Sequence, residues 1–397
     1  MTPRNAIIVA DVLDGLRQIP DGAVQCCVTS PPYLGLRDYG VAGQIGLEKS
    51  PDEYLAKMVA VFAEVRRVLR DDGVLFLNMG DSYAAGTHDA KSFRRDKAEC
   101  NGRIRKGTDC DPKRGAAAPG QPMARSVAGL KPKDLCGIPW RLAFSLQADG
   151  WYLRQDIIWQ KPNPMPESVT DRCTKAHEYI FLLSKSARYY YDAEAVAEPS
   201  IYAGDVKTNV GGKNGEMGFG GDTREGFVGR QVTVAATRNA RSVWTIPTHA
   251  FPQAHFATFP PEIPERCIKA GTSERGACPE CGKPWGRLVE VVDPNGRLGK
   301  GYHDHTDDLA VGQRGVFPAD GAPTRRTTGW QPGCQCGRAD TVPCLVLDPF
   351  GGAGTTGLVA QRLGRGYILI ELKPEYAEMA RQRIYADAPL LATGEKP

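Results

Sequence analysis

Three groups of residues in this 397-residue chain have types and spacings suited to chemistry. The first is Asp348-Pro349-Phe350-Gly351-Gly352-Ala353-Gly354-Thr355-Thr356, between the apolar run Leu345 to Leu347 and Leu358, Val359 and Leu363 at helical spacing. Glycines let backbone approach a ligand and a helix N-terminus offers unpaired N–H groups, so this strand-loop-helix suits a nucleotide; a plain tight turn would use the same residues. Glu371 ends the next apolar run, Gly366 to Ile370, where a carboxylate in a doubly wound fold can hold ribose hydroxyls. The second group, Ser30-Pro31-Pro32-Tyr33, follows the apolar run Ala23 to Val28. Two prolines cannot continue a central strand, so the chain leaves the sheet at the strand's carboxyl end, where ligands bind in open α/β sheets; a stiff loop with a half-buried tyrosine is the plainer reading. The third pairs Cys278-Pro279-Glu280-Cys281-Gly282 with Cys334-Gln335-Cys336-Gly337. Four thiolates from two turns make a structural tetrahedral zinc site, or else these are reduced, unliganded cysteines; His303 and His305 lie between the pairs and could replace a ligand.

The elements that position these groups read as an alternating α/β chain. Ala6 to Val9 is an expected strand ending at Asp11, followed by a short helix carrying Val12, Leu13, Leu16 and Ile19 and closed by Pro20-Asp21-Gly22. Pro51 to Arg70 is an expected helix with Tyr54, Leu55, Met58, Phe62, Val65 and Leu69 on one face, ended by Asp71-Asp72-Gly73. A strand from Val74 to Leu77 completes strand, helix, strand, helix, strand, the signature of a parallel sheet. Later come a helix from Ile138 to Ala148, strands Trp151 to Trp159, Glu178 to Leu183 and Arg241 to Ile246, and a helix from Pro260 to Ala270. Three stretches break the rhythm. Residues 84–134 are rich in Lys and Arg and suit either phosphate-backbone contact or a solvated loop. Residues 188–240 open on Tyr189-Tyr190-Tyr191 and contain a glycine-rich tract, with aromatics that stack on nucleic acid or simply pack. Residues 276–340 read as irregular and carry the cysteines.

Composition narrows the setting. A formal net charge of +4 is only mildly basic, so a polyanionic partner must be met by clustered charge rather than by the total. No apolar run reaches the roughly 18 residues of a membrane span and Met1-Thr2-Pro3-Arg4 lacks a secretory apolar core, so no membrane partner and a cytoplasmic location are expected. Twelve cysteines, with Cys26-Cys27 adjacent inside an apolar strand pattern, look like reduced thiols plus one metal site rather than a disulfide framework.

Taken together, Ser30-Pro31-Pro32-Tyr33 and Asp348 to Thr356 resemble two motifs of the amino-methylating DNA methyltransferases. Their order, catalytic motif first and cofactor motif last, is that of the beta-type, permuted arrangement. Ala10-Asp11-Val12-Leu13 looks like the segment before the catalytic strand, Ile158-Trp159-Gln160-Lys161-Pro162-Asn163 like the later base-pocket motif, and His255-Phe256-Ala257-Thr258-Phe259-Pro260 like the one before the cofactor loop. The chain departs from the pattern at Ala353, where serine is more usual.

The resemblance implies an α/β, Rossmann-like, S-adenosylmethionine-dependent methyltransferase with a mostly parallel doubly wound sheet; the irregular insertions and the small zinc-knuckle-like insertion are read from the residues themselves and follow no fixed family pattern. It implies a catalytic set of Ser30, Pro31, Pro32 and Tyr33, in which the Ser30 hydroxyl and a carbonyl at Pro31 or Pro32 grip an exocyclic amine while Tyr33 stacks on a flipped-out base. Cofactor binding falls to Asp11, Asp348, Phe350, Gly352, Gly354, Thr355 and Glu371, with Phe350 by the adenine and Glu371 on the ribose. Serine in first position is more frequent among cytosine-N4 enzymes than adenine-N6 enzymes, so cytosine N4 is the expected target and adenine N6 the alternative. Pro343-Cys344, a dipeptide reminiscent of cytosine-C5 chemistry, sits in the wrong place for a catalytic thiol. Double-stranded DNA is the expected partner, with a cognate restriction endonuclease possible; a non-catalytic zinc-containing nucleic-acid binder is the remoter reading. The expected division is 1–83 as catalytic half, 84–134 as basic loop, 135–187 as core, 188–240 as target-recognition region, 241–275 as core, 276–340 as cysteine-rich insertion and 341–397 as cofactor half.

Overall fold

A computed structural model describes residues 3–35, 40–41, 43–84, 128–201, 206–208, 231–233, 236–249, 259–292 and 324–387. The chain divides into two compact units, one from Met1–Tyr191, Ser242–Pro284 and Pro332–Pro397, the other from Asp192–Arg241 and Trp285–Gln331.

The first unit is built on an eight-stranded sheet: β1 (Ala6–Val9), β2 (Val24–Thr29), β3 (Leu69–Met79), β4 (Tyr152–Gln160), β5 (His177–Ser184), β10 (Val243–Thr245), β13 (Leu345–Asp348) and β14 (Gly366–Glu371). Its order is β1-β14-β13-β2-β3-β5-β4-β10. Pairings are parallel from β1 to β3 and antiparallel at β3–β5 and β5–β4, so β5 alone opposes the rest. The buried runs of β2 and β13 sit side by side at the centre, with Cys27 opposite Leu347, although some 320 residues separate them in the chain. The chain runs outward from this pair in both directions, which makes the crevice beyond their carboxyl ends the switch point where such folds bind ligands.

Helices cover both faces. On one, α1 (Val12–Arg17), α2 (Pro51–Val68) and α3 (Ile138–Ala148) bury Leu16, Tyr54, Met58, Phe62 and Leu142 against Cys27, Leu75, Leu77 and Phe181. The other carries α4 (Glu262–Gly271), α5 (Thr355–Arg362) and α6 (Pro374–Asp387). Ser50 caps α2 by accepting the Glu53 N–H at 3.2 Å, Pro51 occupies the first turn, and Arg66 and Arg67 face the negative end of the helix dipole.

Two expectations about elements are corrected. Asp71-Asp72-Gly73 does not end α2: the backbone is already extended at Leu69, which pairs with Val24, and Val74 pairs with Cys26, so residues 70–73 bulge out within one long strand. Residues 276–340 are also not irregular throughout. In the second unit β11 (Gly286–Val292) and β12 (Thr324–Gln331) form an antiparallel hairpin. Arg287 there lies 4.3 Å over the Trp330 ring and donates to both oxygens of buried Asp192. The same unit holds the small pairs β6 (Glu198–Pro199) with β9 (Thr237–Arg238) and β7 (Val206–Thr208) with β8 (Gln231–Thr233).

Candidate active site

The two motif loops meet at the carboxyl ends of β2 and β13. Asp348, the last residue of β13, is 2% exposed and holds them together. Its Oδ1 accepts the Thr29 hydroxyl at 2.7 Å and the Phe350 N–H at 3.0 Å, and its Oδ2 accepts the Thr356 hydroxyl at 2.7 Å. Burial pushes this carboxyl up to about 6 against the pull of those donors. Asp348 therefore spends its acceptors inside the protein, holding Phe350 directly by its N–H and Ser30 through the neighbouring Thr29. Glu371 ends β14 and accepts the Gly352 N–H at 2.9 Å on Oε2 and the Lys373 N–H at 2.9 Å on Oε1. Burial raises its carboxyl as well.

Across the crevice, Ser30 Oγ lies 3.2 Å from Tyr33 Oη, and Tyr33 Oη donates to Glu178 Oε2 at 2.9 Å. The Tyr54 hydroxyl donates to the Pro32 carbonyl at 2.8 Å, which pins the double-proline turn onto α2. Asn78 Nδ2 also donates to Glu178 Oε2, and Lys161 Nζ pairs with Oε1 at 2.5 Å while lying 4.3 Å over the Trp159 ring.

These groups line one cleft of about 550 Å³, a usual size for a small-molecule site. Asp11, Ser30, Pro31, Pro32, Tyr33, Asp348, Phe350, Gly352, Thr355 and Glu371 all border it. Asp11 additionally caps α1 by accepting the Leu13 N–H. Gly354 is the exception among the expected cofactor residues, because it does not border the cleft. It starts α5 at φ 75°, and a Cβ there would come within 2.8 Å of Ala380, so its role is to let the helix begin and α6 pack beneath the loop.

The profile of the N6/N4 DNA methylases, described as DNA methylase, matches residues 24–278 and 344–382, taking in both loops of this cleft. The chain belongs to the N6/N4 DNA methylase family. It is 37% identical to the type II methyltransferase M.XycI of Xanthomonas campestris pv. cyanopsidis, over 96% of this chain and 87% of the relative. It is 38% identical to M.SmaI of Serratia marcescens, over 95% and 90% of the two chains. Among solved structures, the PvuII DNA methyltransferase, titled cytosine-N4-specific, aligns over 100% of this chain and 95% of its own with a TM-score of 0.50. At 16% identity that likeness is one of fold, the Rossmann-like methyltransferase sheet.

In the methylase the four expected cysteines come together. The sulfurs of Cys278, Cys281, Cys334 and Cys336 lie within 4.8 Å of one another. The first pair forms a tight knuckle in which Gly282 N–H donates to the Cys278 carbonyl at 2.8 Å and Cys278 N–H to that of Lys283 at 2.9 Å, with Gly282 at φ 71°. Gln25 on β2 ties the knuckle to the sheet by donating to the Gly282 carbonyl and accepting the Leu345 N–H, and Arg70 donates to the Cys281 carbonyl. Cys344, buried at the start of β13 with its thiol pushed up to about 11 by that burial, lines no part of the cleft.

Sequence reasoning missed Glu178 as a site residue. Its signal was weak: a lone acid opening an otherwise apolar run. That run lies in the one reversed strand, so its beginning rather than its end reaches the carboxyl edge of the sheet. Asn78, Thr248, His249 and Tyr376 also line the cleft and were not anticipated. His303, His305, the glycine tract 211–221, most of the basic stretch 84–134, and His255 to Thr258 lie outside the described residues. Among the described residues no helix is long and apolar enough to cross a membrane.

Proposed function

We propose that the methylase transfers a methyl group from S-adenosylmethionine to the exocyclic N4 of a cytosine flipped out of double-stranded DNA, as the modification activity of a type II restriction-modification system. The observation that carries this reading is the stapling of the Ser30 loop to the Phe350 loop through Asp348, which sets an amine-gripping edge and a cofactor-binding edge across one cleft. The chemistry of the second edge fits the cofactor: a carboxylate at Glu371 for ribose hydroxyls, the half-buried Phe350 ring for adenine, and the glycine backbone at Gly352 for close approach. When bound, S-adenosylmethionine supplies an electrophilic methyl group. Asp11, which borders the same cleft, would lie beside the bound cofactor, and Thr355 supports the loop at the start of α5.

The chain's own residues prepare the amine. An exocyclic amine is a poor nucleophile because its lone pair is conjugated with the ring, so acceptors must hold its hydrogens and turn that lone pair toward the methyl group. Ser30 Oγ is one acceptor. A carbonyl at Pro31 or Pro32 is assigned as the other; that of Pro32 already accepts one hydrogen from Tyr54 and keeps its second lone pair. The Tyr33 ring stacks on the base, and orientation supplies most of the rate. Serine in first position of this motif favours cytosine, and the relatives' designation as type II methyltransferases supports a partner restriction endonuclease. The 188–240 stretch is assigned to target recognition and the basic 84–134 stretch to phosphate contact.

The test is incubation with methyl-labelled S-adenosylmethionine and duplex DNA, digestion to nucleosides and mass spectrometry. N4-methylcytosine is expected. N6-methyladenine would overturn the choice of base, and an unlabelled digest would overturn the activity.

The four convergent thiols are proposed to hold a structural zinc ion, since a sulfur tetrad drawn from two turns and tied to β2 matches the donor set of such sites.

A further inference from the structure

We propose that Glu178 is the end of a proton relay that runs from Ser30 through Tyr33 and removes the proton the methylated amine must lose. The proposal rests on the methyl-transfer reading and deepens it. The direction of the relay follows from counting hydrogens. A carboxylate can only accept, so the single phenolic hydrogen of Tyr33 is committed to Glu178 Oε2 at 2.9 Å. The 3.2 Å contact between Ser30 Oγ and Tyr33 Oη must then use the serine's hydrogen. Ser30 is thereby turned so that its lone pairs face away from Tyr33 and serve as the acceptor for an amine hydrogen.

Methyl transfer forms a carbon–nitrogen bond and breaks the donor's carbon–sulfur bond, whose electron pair stays on sulfur. The nitrogen then carries one proton in excess. That proton moves to Ser30 Oγ as the Ser30 proton moves to Tyr33 Oη and the Tyr33 proton to Glu178 Oε2; the N–H pair returns to nitrogen and Glu178 becomes neutral. Tyr33 is never ionised, in keeping with the burial and neighbouring carboxylate that raise its phenol. Lys161 on Oε1 and the Asn78 amide on Oε2 hold the Glu178 carboxylate aimed at Tyr33 before the reaction. Release to water through the cleft, which Glu178 borders, resets the site.

Glu178→Gln separates this role from simple support, because glutamine still accepts from Tyr33 but does not take up a proton. Single-turnover methylation of duplex DNA at saturating S-adenosylmethionine should slow at least about 100-fold in Glu178→Gln, with cofactor Kd within about 3-fold of wild type. Glu178→Asp should recover part of the rate. Tyr33→Phe combined with Glu178→Gln should be no slower than the slower single variant, since the groups act as one unit. The charge-balanced pair Lys161→Gln with Glu178→Gln should stay as slow as Glu178→Gln. A Glu178→Gln rate within about 3-fold of wild type, or recovery in the charge-balanced pair, would sink the relay while leaving methyl transfer intact. Absence of labelled product from the wild-type protein would overturn both.

Discussion

Asp348 is a buried acid whose oxygens are shared between two halves of a site that the chain makes at its opposite ends. Burial raises it to about 6 from the ordinary 3.8, so the folded protein binds this proton more tightly than the unfolded chain does. The stability it contributes is full below 3.8 and is lost as pH rises through about 6. Asp348→Asn removes the titration. The stability gap between wild type and the variant should therefore widen in favour of wild type from pH 7 to pH 4, by up to about 3 kcal/mol in denaturant unfolding. A pH-independent gap would show that the carboxyl titrates alike in both states. At the other motif, Ser30→Ala should cut methyl transfer at least about 100-fold while leaving S-adenosylmethionine affinity within about 3-fold, read by single turnover and by titration calorimetry. Equal losses in both would move Ser30 to the cofactor's side of the cleft.

Elements were legible where a local pattern decided them. α3 was anticipated residue for residue, and β1, β2, β5, β13 and β14 within about a residue, because apolar runs bounded by breakers mark strands whichever way they run. The end of α2 was not, since only pairing of Leu69 with Val24 draws the next residues into β3. Nor was the direction of β5, which depends on the hairpin it makes with β4 and on nothing in its own composition. Gly354 shows the same limit: its place in a glycine motif suggested the cofactor, and only the fold adds that it packs closely against Ala380 at the start of α5. Gly354→Ala should destabilise the protein by about 1–3 kcal/mol, through left-handed backbone strain and the contact with Ala380, and weaken cofactor binding by displacing the loop. Thermal unfolding and cofactor titration of the variant check both parts; unchanged stability would mean that α6 yields.

For the whole molecule, the cysteine tetrad lies in the sheet-bearing unit although the chain between its pairs forms the hairpin of the other unit. Purified methylase should carry close to one zinc per chain by elemental analysis, and strong chelation should lower Tm by about 5 °C or more. Cys278→Ser should do the same, and a metal-free protein of unchanged Tm would leave the tetrad as plain thiols. The sequence by itself determined the kinds of groups available: a serine before two prolines, a glycine loop ending an apolar run, an acid one strand later and two cysteine pairs. These are local signals, written in neighbouring residues. Tertiary structure alone decided which of them share a cleft, that Asp348 faces inward, that Gly354 lies beneath the loop, and that Glu178 reaches Tyr33 from 145 positions away. Contacts of that separation follow from strand order and direction, which are set by the packing of the whole sheet.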